Sequence, residues 1–172
     1  DDRGRVVIPK EIRRTLRLRE GTPLEIFTDR EGEIILKKYS PMMELTAFAG
    51  QYADAMAQST GLIVCITDRD QVVAVAGGSR KELLQKTISR SLEQAINDRI
   101  IYQAGKDEKN VIQLVDEELE GITAQVIAPI ICEGDAIGSV SLMSREPKAR
   151  FGEMEMKLAV TAAGFLGRQM ES

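Results

Sequence analysis

Gly4-Arg5-Val6-Val7-Ile8-Pro9-Lys10-Glu11-Ile12-Arg13-Arg14-Thr15-Leu16 joins a short apolar run directly to a short cationic helix. Arg5 to Ile8 is β-branched and reads as a strand. Pro9 suits the first turn of a helix, where its missing N–H would be unpaired anyway. Ile12 and Leu16, four apart, give that helix one apolar face. Lys10, Arg14 and Arg17 form a stripe elsewhere on it, with Arg13 beside them. Residues 3–19 hold seven basic side chains against one acid, Glu11. A basic patch on a chain of net charge −4 is the electrostatic footprint of a nucleic-acid site. Charge patterning alone would equally describe a solvated helix face.

The rest of the first segment reads as a hairpin. Gly21 ends the helical unit. Leu24 to Thr28 alternates, Asp29-Arg30-Glu31-Gly32 turns, and Glu33 to Lys37 forms the second strand. Residues 1–40 carry ten Lys and Arg against eight Asp and Glu, whereas the remainder carries 13 against 19. The break falls at Ser40-Pro41. A unit of about 40 residues with a few short strands cannot bury enough apolar surface to offset the entropy of ordering it. It must dock on the remaining chain or pair with a second copy, and the next element favours the copy. Over Met42–Ser59, Leu45, Phe48, Tyr52 and Ala55 are spaced 3-4-3, like a coiled-coil seam. A core-facing amphipathic helix would look the same over so short a stretch.

From residue 60 the pattern is a mixed domain. Leu62–Thr67 and Gln71–Val75 read as strands about a turn at Asp68-Arg69-Asp70. Ser79 and Glu82 have capping-box spacing and open a helix through Leu84, Ile88, Leu92 and Ile96. Residues 110–115, 121–132 and 136–143 read as strands, the last two joined at Glu133-Gly134-Asp135. The final helix, Glu153–Met170, is apolar over so wide an arc that burial on two sides is expected, with Gly164 and Gly167 allowing close approach. The order α-β-β-α-β-β-β-α predicts an antiparallel sheet with helices packed on it, an α+β domain.

Composition narrows the chemistry. The chain has no histidine, which excludes His-based triads and His-ligated metals. Cys65 and Cys132 lie in apolar strand-like runs and read as small buried hydrophobes; two thiols cannot make a zinc site. Asp116-Glu117-Glu118-Glu120 reads as a solvated loop rather than a metal site, and Gly77-Gly78-Ser79 as a turn with an N-cap. Arg3 and Arg19 read as solvated surface, and Arg30 as an inert turn residue. No paired carboxylates or activated nucleophile emerge, so no catalytic residue, cofactor or metal is expected. No apolar run approaches the roughly 20 residues that cross a bilayer.

The run from Gly4 to Arg14, followed by Leu24–Phe27 and Ile34–Tyr39, resembles the AbrB-type swapped-hairpin DNA-binding domain of bacterial transition-state regulators. Ala128-Pro129-Ile130-Ile131 followed by Gly134 to Leu142 resembles the hairpin of a GAF domain. The two in this order are similar to the stage V sporulation protein T regulators of spore-forming bacteria. The resemblance implies domains at 1–40 (DNA binding), 41–59 (a linking, dimerising helix) and 60–172 (GAF). It implies that two copies interlock hairpins into one β-barrel, of which this chain supplies half. It further implies Arg5, Arg13 and Arg14 as principal DNA contacts, to which the charge stripe adds Lys10 and Arg17. The expected partners are double-stranded DNA, a second copy of the chain, a dimer of dimers, and an unknown small molecule at the GAF domain. The expected location is the cytoplasm. The family carries a further strand before Asp1, so the barrel and DNA surface are expected to be incomplete in this copy. Two alternatives stay open: an antitoxin-like interaction module, and a small-molecule-binding protein with no DNA role.

Overall fold

The computed structural model describes residues 2–39, 46–105, 110–117 and 119–171. The chain divides into two compact units, Asp1–Ser40 and Pro41–Ser172.

The first unit contains α1 (Lys10–Thr15) and the hairpin β1 (Leu24–Thr28) and β2 (Ile34–Lys38). The hairpin is antiparallel, with Ile26 opposite Leu36 and Thr28 opposite Ile34. Its turn is set by Asp29, whose Oδ1 accepts the backbone N–H of Glu31 at 3.0 Å and of Glu33 at 2.8 Å. Gly32 takes the left-handed φ of 89° that the turn requires. The expected strand at Arg5–Ile8 is not formed: these residues pair with no described strand, leaving Val6 76% and Val7 89% exposed. A strand is defined by its ladder, and a single copy offers no partner. Pro9 sits one position earlier than expected, as the N-cap, with φ −55° and ψ 145°.

The second unit is built on a five-stranded antiparallel sheet. Its elements are α2 (Thr46–Thr60), β3 (Ile63–Asp68), β4 (Val72–Ala76), α3 (Arg80–Leu83), α4 (Arg90–Asn97), β5 (Tyr102–Gly105), β6 (Ala124–Cys132), β7 (Asp135–Ser144) and α5 (Glu153–Gln169). The strand order is β4-β3-β7-β6-β5. β6 and β7 meet through Glu133 and Gly134, both at positive φ (49° and 87°), a two-residue hairpin loop of the kind favoured by strand twist.

Alternation along the strands feeds two cores. Val64, Ile66, Val140 and Leu142 face Ala49, Ala53 and Ala57 of α2 and Ala159, Ala162 and Leu166 of α5. Cys65, Ile127 and Met143 face Leu83, Leu92, Ile96 and Leu114. The sheet is thus covered on both faces.

Four expectations are corrected here. The helix expected through Leu84–Ile96 breaks in two, because residues 85–88 leave it to pair along β4: Gln85 donates its N–H to Val72 and Val72 donates to Lys86. The capping box is not formed: Ser79 lies at φ 61° without a capping bond, and Ser89 caps α4 by accepting the Leu92 N–H at 3.1 Å. Residues 110–115 form no strand. The Gln125 side chain instead takes both backbone groups of Ile112, while β5 was not foreseen. Gly167 is close to strand backbone, not to another helix, since a Cβ there would collide with the Ile131 carbonyl oxygen.

The expected seam on α2 is also redrawn. Ala49, Ala53 and Ala57 face the core, Ala55 is exposed, and Leu45 lies outside the described residues. Phe48 and Tyr52 meet Phe165 of the same chain, with ring centroids 5.8 and 5.5 Å apart. α5 buries one face only, leaving Met154, Val160 and Phe165 exposed.

Candidate nucleic-acid interface

α1 sorts its side chains by charge. Lys10, Arg13 and Arg14 fall at i, i+3 and i+4, a single stripe on the helix surface. Ile12 and Leu16 lie on the opposite side by the same periodicity. All three cations are exposed, and their side chains bond to no described residue. Arg5 is exposed in the segment that follows Gly4, itself at φ 74°. Arg17 is half-buried just beyond the helix. The structure therefore places Lys10, Arg13 and Arg14 together on one face, and Arg5 and Arg17 at its two ends in the chain.

The C-terminal turn of α1 is closed tightly. Leu16 donates to Ile12 at 2.9 Å, Arg17 to Arg14 at 3.2 Å, and Leu18 reaches back to Arg13 at 2.7 Å. This is a Schellman-type ending, with Arg17 in the left-handed place that glycine ordinarily fills, at φ 55°. Lys38 of β2 completes it. Its ammonium donates to the Leu16 carbonyl at 3.2 Å and to the Arg17 carbonyl at 3.4 Å. The sequence reading missed Lys38, because the two groups are 22 and 21 residues apart. The adjacent Lys37 points the other way, its ammonium 5.4 Å from the Phe27 ring centre.

Along the apolar side of α1 lies a groove of about 290 Å³, lined among others by Val6, Ile8, Ile12, Leu16, Ile34 and Leu36. Ile26 on the same hairpin is 68% exposed and Ile34 74%. No described residue of this unit is buried. Exposed aliphatic surface on this scale within 40 residues exceeds ordinary scatter.

Elsewhere, Asp29, Glu31 and Glu33 bring their carboxylates together at the exposed hairpin tip. The Glu33 backbone N–H holds the Asp29 carboxyl below its ordinary range, as part of the turn. Of the acids between 116 and 120, Glu117 pairs with Lys86 at 3.2 Å, and Glu118 lies outside the described residues. Burial pushes the Cys65 thiol up to about 12, and raises that of Cys132 with help from Glu133. In the second unit a groove of about 470 Å³ runs beside β4, lined by Gln51 and Asp54 of α2 and by Arg80 and Gln85. No described helix is long and apolar enough to cross a membrane.

Comparison with known proteins bears on both units. Residues 44–171 match the family described as stage V sporulation protein T C-terminal, transcription factor. Residues 1–43 match the family described as antidote-toxin recognition MazE, bacterial antitoxin. The chain is 51% identical to stage V sporulation protein T of Bacillus subtilis over 99% of its own length and 94% of that protein. It is 41% identical to the transition state regulatory protein AbrB of the same organism, over 43% of this chain and 77% of that one. Among solved structures, the second GAF domain of DevS from Mycobacterium smegmatis superposes with a TM-score of 0.56 at 14% identity, covering 73% of this chain and 92% of that chain. At that identity the likeness shows the fold alone, a GAF fold.

Proposed function

Since the chain belongs to the stage V sporulation protein T family, we propose that it is a cytoplasmic DNA-binding regulator of sporulation genes, acting through Arg5, Lys10, Arg13, Arg14 and Arg17. The observation that carries this reading is the α1 stripe: Lys10, Arg13 and Arg14 are exposed on one helical face, on a chain of net charge −4. Arginine presents a planar fork suited to phosphate or to a guanine edge. The exposed aliphatic groove supports a dimer, in which the seven cations of residues 3–19 become fourteen. α1 spans six residues, too short for a long recognition helix, so readout leans on DNA shape and the bound sequences are degenerate. Residues 1–40 form the DNA-binding domain, 41–59 the linking helix and 60–172 the GAF domain. The GAF unit serves as a sensor or as an oligomerisation platform for a dimer of dimers. The groove beside β4 would take its small molecule, and the exposed Met154, Val160 and Phe165 would meet a second copy.

Replacing Arg13 and Arg14 together by Ala tests the reading. The expected result is loss of duplex binding by about 100-fold or more in gel shift, and a shallower salt dependence, with unchanged circular dichroism. An unchanged shift overturns it. The match of residues 1–43 to an antitoxin family favours one second reading, a toxin-neutralising module. That reading requires a small toxin to co-purify with the intact chain and the arginine substitutions to leave its function untouched.

A further inference from the structure

The basic residues of α1 can recognise DNA only if their helix is held in one orientation, yet α1 is six residues long and buries none of them. A helix so short has no stability of its own. Something outside it must fix its end, and Lys38 is the residue that touches it there. The Lys38 ammonium, half-buried on β2, donates to the carbonyls of Leu16 and Arg17. Leu16 is the C-cap and Arg17 the residue just beyond it, and the carbonyls at a helix end have no partner inside the helix. A cation at this end also meets the negative pole of the helix dipole.

The bond to Arg17 has a second consequence. Arg17 is held at φ 55°, a conformation that most residues with a side chain avoid and that glycine adopts freely. A side chain at such a φ persists only where the surrounding structure holds the backbone in place. By gripping the Arg17 carbonyl, Lys38 pins the peptide group that follows the left-handed residue. Of its three donors, two are thus engaged with backbone, unlike Lys10, Arg13 and Arg14, whose side chains bond to no described residue.

We propose that Lys38 is a positioning residue for DNA recognition: its grip on the end of α1 fixes the left-handed turn at Arg17 and thereby the direction in which the Arg17 side chain meets the duplex. The inference rests on the DNA-binding reading above. Lys38 acts through Arg17, so its effect depends on that side chain, whereas a direct phosphate contact would contribute independently of it.

The test is a double-mutant cycle on the full chain, using a duplex selected by the wild-type protein from a random pool. Lys38→Met keeps the length of the side chain and removes the donor. It is expected to weaken binding about tenfold in the wild-type background and less than about twofold when Arg17→Ala is already present. Lys38→Arg, which retains donors, is expected to recover most of the loss. Affinity is measured on the active fraction, counted by stoichiometric titration, so a partly unfolded sample lowers the count rather than the affinity. Equal losses in both backgrounds would make Lys38 an independent phosphate contact and overturn the proposal, as would no loss at all. A wild-type chain that fails to select or shift any duplex overturns the DNA-binding reading itself, which the cycle reports before any substitution is compared.

Discussion

Val6, Val7, Ile12, Ile26 and Ile34 in the first unit are all close to half exposed or more, while Ile66, Leu83, Leu92, Leu142 and Leu166 in the second are shut off from water. Both units have well-formed local structure: a closed helix end and a registered hairpin in one, a five-stranded sheet in the other. The difference lies in what each can surround. A five-stranded sheet with helices against both faces makes two interiors from one chain, whereas one hairpin and a six-residue helix have no second layer to close on. The first unit therefore holds its secondary structure by turns and caps, and leaves its apolar side chains to be covered by something else.

The largest expected effect comes from truncating one matched residue in each unit. Leu92→Ala removes a side chain with 0% exposure from the packed face of α4 and should cost the second unit about 3 kcal/mol in denaturant unfolding. Ile12, 46% exposed, lines the open groove. Ile12→Ala should leave the second unit's transition unmoved. It should instead weaken dimerisation about tenfold, seen as a first-unit transition displaced to lower stability and restored at about tenfold higher protein concentration. If Ile12→Ala changes neither the dimer constant nor that transition, the first unit completes its core without a partner, and the contrast between the units fails.

What the sequence disclosed follows the same division. The turn at Asp29–Gly32 and the Glu133-Gly134 hairpin were legible, because each depends on residues within a few positions of one another, whereas the stripe read as Lys10, Arg14 and Arg17 is redrawn as Lys10, Arg13 and Arg14, since α1 ends before Arg17. The broken helix was not. Ile88, Leu92 and Ile96 are buried and Leu84 is half-buried against the same cluster, so the apolar spacing was read correctly as an inward face and incorrectly as one continuous helix. The break comes from Gln85 and Lys86 bonding to Val72, a contact no local pattern announces. Residues 110–115 misled in the same way, since the Gln125 side chain takes the backbone of Ile112 and Ser89 takes the carbonyls of Gln113 and Leu114, in place of a neighbouring strand. In the site itself, the cations were legible by type and spacing. The role of Lys38 was not, because it exists only where β2 returns to the end of α1.

A smaller effect sharpens how dry the second unit is. An ordinary thiol ionises near 9.0, and burial pushes Cys65 up to about 12. Below pH 9.0 the thiol is protonated in both the folded and the unfolded chain, so it adds no pH dependence. Between the two values the unfolded chain has released the proton and the folded chain has not. Unfolding then becomes easier as pH rises, by about 1.4 kcal/mol per pH unit from this group. Urea midpoints compared at about pH 8 and about pH 10 should therefore fall further for the wild type than for Cys65→Ala. Equal falls would mean that water reaches Cys65. The first unit has no cysteine, so the difference belongs wholly to the second.

The smallest effect separates two serines that look alike in sequence and differ in structure. Ser89 accepts the Leu92 N–H at 3.1 Å and donates to the Gln113 carbonyl at 2.6 Å, so it caps α4 and ties the 110–117 segment to it. Ser89→Ala should cost about 1 kcal/mol. Ser79, which has the capping-box spacing, sits at φ 61° with a hydroxyl that bonds to no described group. Ser79→Ala should change stability by less than about 0.5 kcal/mol, and Ser79→Gly should raise it slightly by relieving the left-handed backbone. Denaturant midpoints on the three variants give the order Ser79→Gly, Ser79→Ala, Ser89→Ala from most to least stable. A reversed order would restore the capping box at Ser79. The continuous helix read from the sequence would then be the better description of residues 80–97, and α4 would lose its separate start.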